Sequence, residues 1–112
     1  MAKKVPNPDG KKGGEKHQAA IKKAIELVKK QELLARTEFM IATPNGKKKK
    51  RFIDVVGLDS LLQLVFPIQA GKVRADGKPV KREQEAIEDI ENETGLKITY
   101  INYENTNEEQ TN

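Results

Sequence analysis

Apolar positions along the chain follow a helical repeat first and a two-residue alternation afterwards. Ile21, Ala24, Ile25, Val28 and Ala35 share one stripe of a helical repeat, which predicts a helix over about residues 15–35. Lys22, Lys23, Lys29 and Lys30 lie mostly off that stripe. RTEFMIAT, residues 36–43, reads as a first strand, and Asn45-Gly46 after it is a strong hairpin signal. Residues 50–58 form a second strand. Alternation puts Phe52, Asp54, Val56 and Leu58 on one face and Ile53 and Val55 on the other. Asp59-Ser60 supplies a turn, and residues 61–70, nearly all apolar, form a third, central strand. Pro67 within it implies an edge or a bulge. VRADGKPV, residues 73–80, is a connection with a turn at Asp76-Gly77. Ala86, Ile87 and Ile90 give a narrow stripe for a second helix over about residues 81–94, with Gly95 as its stop. KITYINY, residues 97–103, alternates as a last strand.

The order α-β-β-β-α-β belongs to the α/β class. Three meandering strands and a crossover helix make a mixed four-stranded sheet flanked by helices. The third and fourth strands are expected to be parallel, joined by a right-handed crossover. The 112 residues suit one compact domain, residues 15–104. A basic, irregular lead-in over residues 1–14 precedes it, and a polar tail over residues 105–112 follows.

Composition narrows the chemistry. There is no cysteine, so disulfides and thiolate metal sites are excluded, and the lone His17 excludes a histidine-rich zinc site. A metal here would have oxygen ligands, which favours magnesium, manganese or calcium. No apolar run is long enough for a membrane helix, and the basic N-terminus lacks the apolar core of a signal peptide. The expectation is no membrane partner and a cytoplasmic site of action. The net charge of +4 hides a split. Residues 1–51 carry 15 Lys and Arg against 5 acids (+10), and residues 52–112 carry 6 against 12 (−6). A basic half suits a polyanion such as nucleic acid, although a solvated surface would have the same composition.

Asp54 stands out. A carboxylate inside an apolar strand costs several kcal/mol, roughly, unless a cation, a metal or a set of donors compensates it. The third strand ends in Gln69, Gly71 and Lys72 rather than in more aliphatic residues. The arms about the turn are unequal: Asp54 lies 5 residues before Asp59, and Gln69 lies 9 after Ser60. Pairing Asp54 with Gln69 therefore requires a wider loop or a bulge.

The stretches GGEKHQ, RFIDVVGLD, PIQAGK and GKPVKREQEAIEDI, in this order of elements, resemble the PD-(D/E)xK, restriction-endonuclease-like superfamily of nucleases. They are similar to small nuclease domains of phage genomes and bacterial polymorphic toxins. The resemblance covers nearly the whole chain and implies a restriction-endonuclease-like core. It implies a divalent metal, Mg2+ or Mn2+, held by Glu15 of the first helix, Asp54 of the second strand and Gln69 of the third. Lys72 would be the catalytic lysine, so the implied catalytic set is Asp54, Gln69, Lys72 and Glu15. Two departures mark this sequence. Gln69 stands where the family has an acid, and an amide oxygen brings no charge. Lys72 comes one residue late, and a bulge at Ala70-Gly71 would bring it back to the face of Gln69.

Around that set, Lys47, Lys48, Lys49, Lys50, Arg51, Arg74 and Arg82 are candidate phosphate contacts, or else an ordinary solvated surface. His17 lies within about 40° of Ile21 on the first helix and reads as packed rather than catalytic, with Gln18 as a neighbour. The Phe and Tyr residues fall mostly on strands, where core packing explains them better than base stacking. The expected function is metal-dependent hydrolysis of phosphodiester bonds, in DNA rather than RNA. The alternatives are a non-catalytic nucleic-acid-binding protein on the same fold and a protein-interaction module. Superfamily members that make paired cuts are often homodimers, and a toxin domain would bring an immunity protein.

Overall fold

The fold is that of a computed structural model describing residues 14–102. The lead-in up to residue 13, the polar tail and Tyr103 lie outside the described residues. The elements are α1 (Glu15–Lys30), β1 (Leu34–Ala42), β2 (Lys50–Leu58), β3 (Leu64–Gly71), α2 (Lys81–Thr94) and β4 (Thr99–Asn102). They form an α/β structure with one mixed sheet in the order β1-β2-β3-β4. β1, β2 and β3 run antiparallel, and β4 is parallel to β3. Among the described residues no helix is long and apolar enough to cross a membrane.

The helices cover the two faces. Ala20, Ala24 and Val28 of α1 pack on Val55, Ile68, Ala70 and Ile101. Ile87 and Ile90 of α2 pack on Ile53, Val56, Leu58 and Ile98. Ile53, Ile68 and Ile90 are fully buried, and each such side chain stabilises the fold by about 1.5–3 kcal/mol relative to an exposed one.

Four local features differ from the periodicity. The first helix ends at Lys30, because Glu32 takes a left-handed φ of 61° and the Leu33 N–H bonds back to the Val28 carbonyl. Ala35 falls in helical phase with Val28 but belongs to β1, where it packs against the α1 cluster. β3 begins at Leu64 rather than residue 61, since the Asp59 carboxylate collects the Leu61 and Gln63 N–H groups into a loop. That wider loop, with a register shift at Gly57/Leu58, is what lets the unequal arms meet. Pro67 is tolerated inside the sheet because β4 joins β3 only from Ile68 onward.

The fourth difference is the β1–β2 connection. Asn45-Gly46 does not make a two-residue turn; Thr43 closes a longer loop, its N–H bonded to the Lys49 carbonyl and its hydroxyl to that of Lys48. Asp89 of α2 holds this loop from below. Its carboxylate accepts the Lys47 and Lys48 N–H groups at 3.1 and 3.2 Å, and the Arg51 guanidinium at 2.9 Å (Nε) and 2.8 Å (Nη2). Gly46 leaves the carboxylate room: a Cβ there would lie 2.6 Å from Oδ1. The side chains of Arg51 and Asp89 are only 10% and 6% exposed. Burial alone would raise the Asp89 carboxyl, but the Lys47 N–H, Arg51 and the Lys48 N–H outweigh it and hold it below its ordinary value.

Removing one partner of such a buried pair leaves the other charge uncompensated. Asp89→Ala is expected to destabilise the fold by about 3–5 kcal/mol, measured by urea denaturation. Adding Arg51→Met to it should recover part of the loss. Because the folded pKa of Asp89 is depressed, its stabilisation is complete above the ordinary value of 3.8 and fades as pH falls through the folded value. An Asp89→Ala loss that is the same at neutral pH and well below 3.8 would contradict this assignment.

Candidate functional site

β2 and β3 stay paired from Leu58↔Leu64 to Val55↔Ile68 and then part. Pairing of β2 with β1 also skips Asp54, opposite which Glu38 has a left-handed φ of 50°. The regular alternation breaks here. Ile53 packs with the α2 cluster and Val55 with the α1 cluster, although they are two residues apart. Phe52 is 55% exposed, so it is not the buried neighbour of Asp54 that strict alternation predicts.

Side chains bridge the gap between the strands. The Asp54 N–H donates to Gln69 Oε1 at 2.6 Å, and the Ala70 N–H donates to Asp54 Oδ2 at 2.8 Å. Beyond this bridge a cleft of about 1010 Å³ opens. Lys50, Arg51, Phe52 and Asp54 of β2 form one wall and residues 69–72 another, with the first turns of α2 and His17 of α1 completing it. A second cavity of about 400 Å³, between α1 and the β1–β2 hairpin, shares His17, Phe52 and Asp54 with the first.

Two carboxyls in this cleft are displaced from their ordinary behaviour. Burial pushes Asp54 up, against the Ala70 N–H and His17, with Glu38 adding to the rise. Burial also pushes Glu83 up, and the charge of Asp54 pushes it further, against Arg82, His17 and Arg51. Glu83 lies against Gly71, where a Cβ would sit 3.2 Å from its Cδ and would also strike the Tyr100 hydroxyl. That hydroxyl donates to the Lys72 carbonyl at 2.8 Å. A residue without a side chain at position 71 is therefore what lets Glu83 and Tyr100 close on the end of β3.

The predicted residues divide. Asp54, Gln69 and Lys72 all border the cleft, as do Lys48, Lys49, Lys50 and Arg82. Glu15 does not border it; it is exposed in the first turn of α1, where an acid suits the helix dipole. Arg74 is also outside, paired with Asp76 at 3.5 Å. Lys47 turns to Glu85 at 3.2 Å, and Arg51, though at the cleft wall, is held by Asp89. No bulge interrupts β3 at Ala70-Gly71: its register with β4 runs unbroken from Ile68 to Gly71. Lys72 is the first residue beyond β3, and it borders the cleft together with Gln69 without a bulge to bring it there.

Two site residues were underweighted in the sequence. Glu83 stands four residues before Ile87 and seven before Ile90, an acid on the apolar stripe of α2. His17 stands four before Ile21 in the same relation to α1, and it reaches both carboxyls electrostatically. In each case the signal was a charged or polar residue in phase with the core face, where a purely solvated residue has no reason to be.

No family model, curated protein or solved structure matches the chain. Among the described residues no group of three or more His, Cys, Asp or Glu side chains is arranged to hold a metal. Asp54 and Glu83 both border the cleft, and the chemistry of two carboxylates suits Mg2+ or Mn2+, which keep several waters and need one or two protein carboxylates, rather than an all-protein calcium cage.

Mutual repulsion makes a thermodynamic prediction. A carboxyl with a raised folded pKa penalises folding once it ionises, so the relative stabilisation is present below its unfolded pKa and lost as pH rises through the folded one. Asp54→Asn and Glu83→Gln should each raise stability at neutral pH by roughly 1 kcal/mol. The gain should vanish as pH falls through the folded values, and the double variant should gain less than the sum. Strict additivity, read by urea denaturation, would mean that the two groups do not sense each other.

Proposed function

We propose that this chain is a metal-dependent nuclease, acting on phosphodiester bonds of DNA in preference to RNA. The observation that carries the reading is the meeting of Asp54 and Glu83, from separate elements, in one cleft rimmed by Lys48, Lys49, Lys50, Lys72 and Arg82. Paired carboxylates alone would repel a polyanion, and a basic rim alone would only bind one. Together they suit a phosphate brought to a cation.

Asp54 and Glu83 are the residues that would hold Mg2+ or Mn2+. When bound, such an ion polarises a phosphoryl oxygen and lowers the pKa of its water. Gln69 acts as a positioning residue, fixing the backbone of Asp54 through its N–H, while the Ala70 N–H orients the carboxylate. Glu83 takes the role that the sequence resemblance gave to Glu15. Lys72 contacts phosphate, and a lysine so placed also stabilises charge that develops on the phosphoryl oxygens. Because burial raises both carboxyls, protons compete with a cation for them at higher pH than at exposed carboxylates, so cleavage should fall off on the acid side. The uncharged Gln69 and the unbulged β3 favour a second reading, a binding protein that does not cut.

Plasmid and RNA incubated with Mg2+, with Mn2+ and with chelator separate the readings. The nuclease reading expects nicking of DNA that needs metal and drops at least about a hundredfold in Asp54→Asn and in Glu83→Gln, with binding in chelator retained or raised. Binding without cleavage under every metal would leave the non-catalytic reading. Replacing Lys48, Lys49 and Lys50 by Gln should weaken all sequences alike and reduce the salt slope on duplex by about 2–3.

A further inference from the structure

Phe52 is an aromatic ring that neither core cluster uses. It is 55% exposed, and Met40 opposite it on β1 is 51% exposed. A Phe on a solvent-facing strand end gains little for the fold. Its surroundings are specific, however. The ring borders both cavities, as Asp54 and His17 do. Lys50 Nζ lies 6.0 Å from the ring centroid, within cation–π range. Two residues of strand, roughly 7 Å, separate Phe52 from Asp54.

The smaller cavity, about 400 Å³, has Phe52, Ile21 and Thr37 among its walls and His17, Gln18 and Glu38 as polar groups. That volume is at the low end for small-molecule pockets and cannot admit a duplex. A planar ring with one apolar wall and a few polar edges matches it. Beside it, Lys48, Lys49 and Lys50 supply the charge that a phosphate chain needs.

We propose that Phe52 is a stacking platform for one unpaired nucleobase, and that the substrate is single-stranded, or locally opened, next to Asp54. The inference rests on the nucleic-acid reading above and deepens it. In a duplex both faces of a base are covered by its neighbours, so a base can lie on Phe52 only after it leaves the stack. The ring then replaces the lost neighbour, and Lys50 meets the phosphate of the same nucleotide. Stacking on a phenyl ring is tolerant of base identity, so the platform selects strandedness rather than sequence.

The test is equilibrium binding in chelator, where no cleavage occurs. The probes are a labelled 15-nucleotide single strand carrying one 2-aminopurine, and the same sequence as a duplex. Wild type is expected to bind the single strand more tightly and to quench the 2-aminopurine. Phe52→Ala should lower single-strand affinity about tenfold or more and abolish the quench, with duplex affinity unchanged. Phe52→Tyr should restore both, whereas Phe52→Leu, apolar but without a π face, should not. An equal loss on single strand and duplex, or no quench with wild type, overturns the stacking role. Plasmid cleavage scored alongside keeps the two ideas apart. Stacking with no cleavage under any metal removes the nuclease and leaves the platform, and cleavage with no strand preference does the reverse. Failure to bind either probe overturns both.

Discussion

A sheet can open only where something replaces the hydrogen bonds that its strands give up. In this chain that replacement is the reciprocal bridge at Asp54: its N–H to Gln69, and the Ala70 N–H to its carboxylate. Buried backbone donors left unpaired cost about 1–3 kcal/mol each, so the parting of β2 and β3 would be unfavourable with aliphatic residues here. With the bridge in place the strands diverge, and the space between them becomes the cleft. The residue that permits the opening is also the carboxylate at its floor. The question of why an acid sits in an apolar strand therefore has a structural answer even before any ligand is considered.

The bridge does not make Asp54 comfortable. One backbone donor and the field of His17 work against burial and against Glu38, and burial wins. Glu83, brought in by α2 and given room by Gly71, is raised by burial and then further by the charge of Asp54. Two half-buried carboxyls of which one raises the other are a poor arrangement for stability. They are a good one for a cation, since the repulsion disappears when a positive charge lies between them. This imbalance adds to what the cleft and its basic rim already suggest.

How far the sequence could be read follows from what each signal depends on. Element order, α2 and its Gly95 stop rest on local periodicity and turn chemistry, and they appear at the predicted places. The importance of Asp54 and its association with Gln69 came from a charge in an apolar run, and the structure joins the two directly. Side assignments near Asp54 failed because they assumed unbroken alternation, whereas the left-handed Glu38 and the skipped pair move Ile53 and Val55 to opposite faces. Glu15 is implied only by its place in a motif, and motif position says nothing about where the helix axis points. Glu83 and Asp89 do not stand out in the sequence, because an acid in a charged helix reads as solvated. Only the packing of α2 on the sheet shows that one faces the cleft and the other lies under a loop.

The separation of charge along the chain takes on a different meaning in three dimensions. Part of the basic charge of the first half is answered by acid from the second: Arg51 by Asp89 and Lys47 by Glu85, with His17 near Asp54 and Glu83. The split thus helps hold α2 against the β1–β2 loop, across 38 residues of sequence. Lys48, Lys49 and Lys50 are carried along by this anchoring. Asp89 grips the loop through the N–H groups of Lys47 and Lys48, which fixes the backbone while leaving the Lys48 ammonium to the cleft rim. A buried acid that holds main chain, with neighbouring cations at the rim of the cleft, presents positive charge at a defined place. A flexible lysine run would offer a polyanion the same charge but would lose more conformational entropy on binding it.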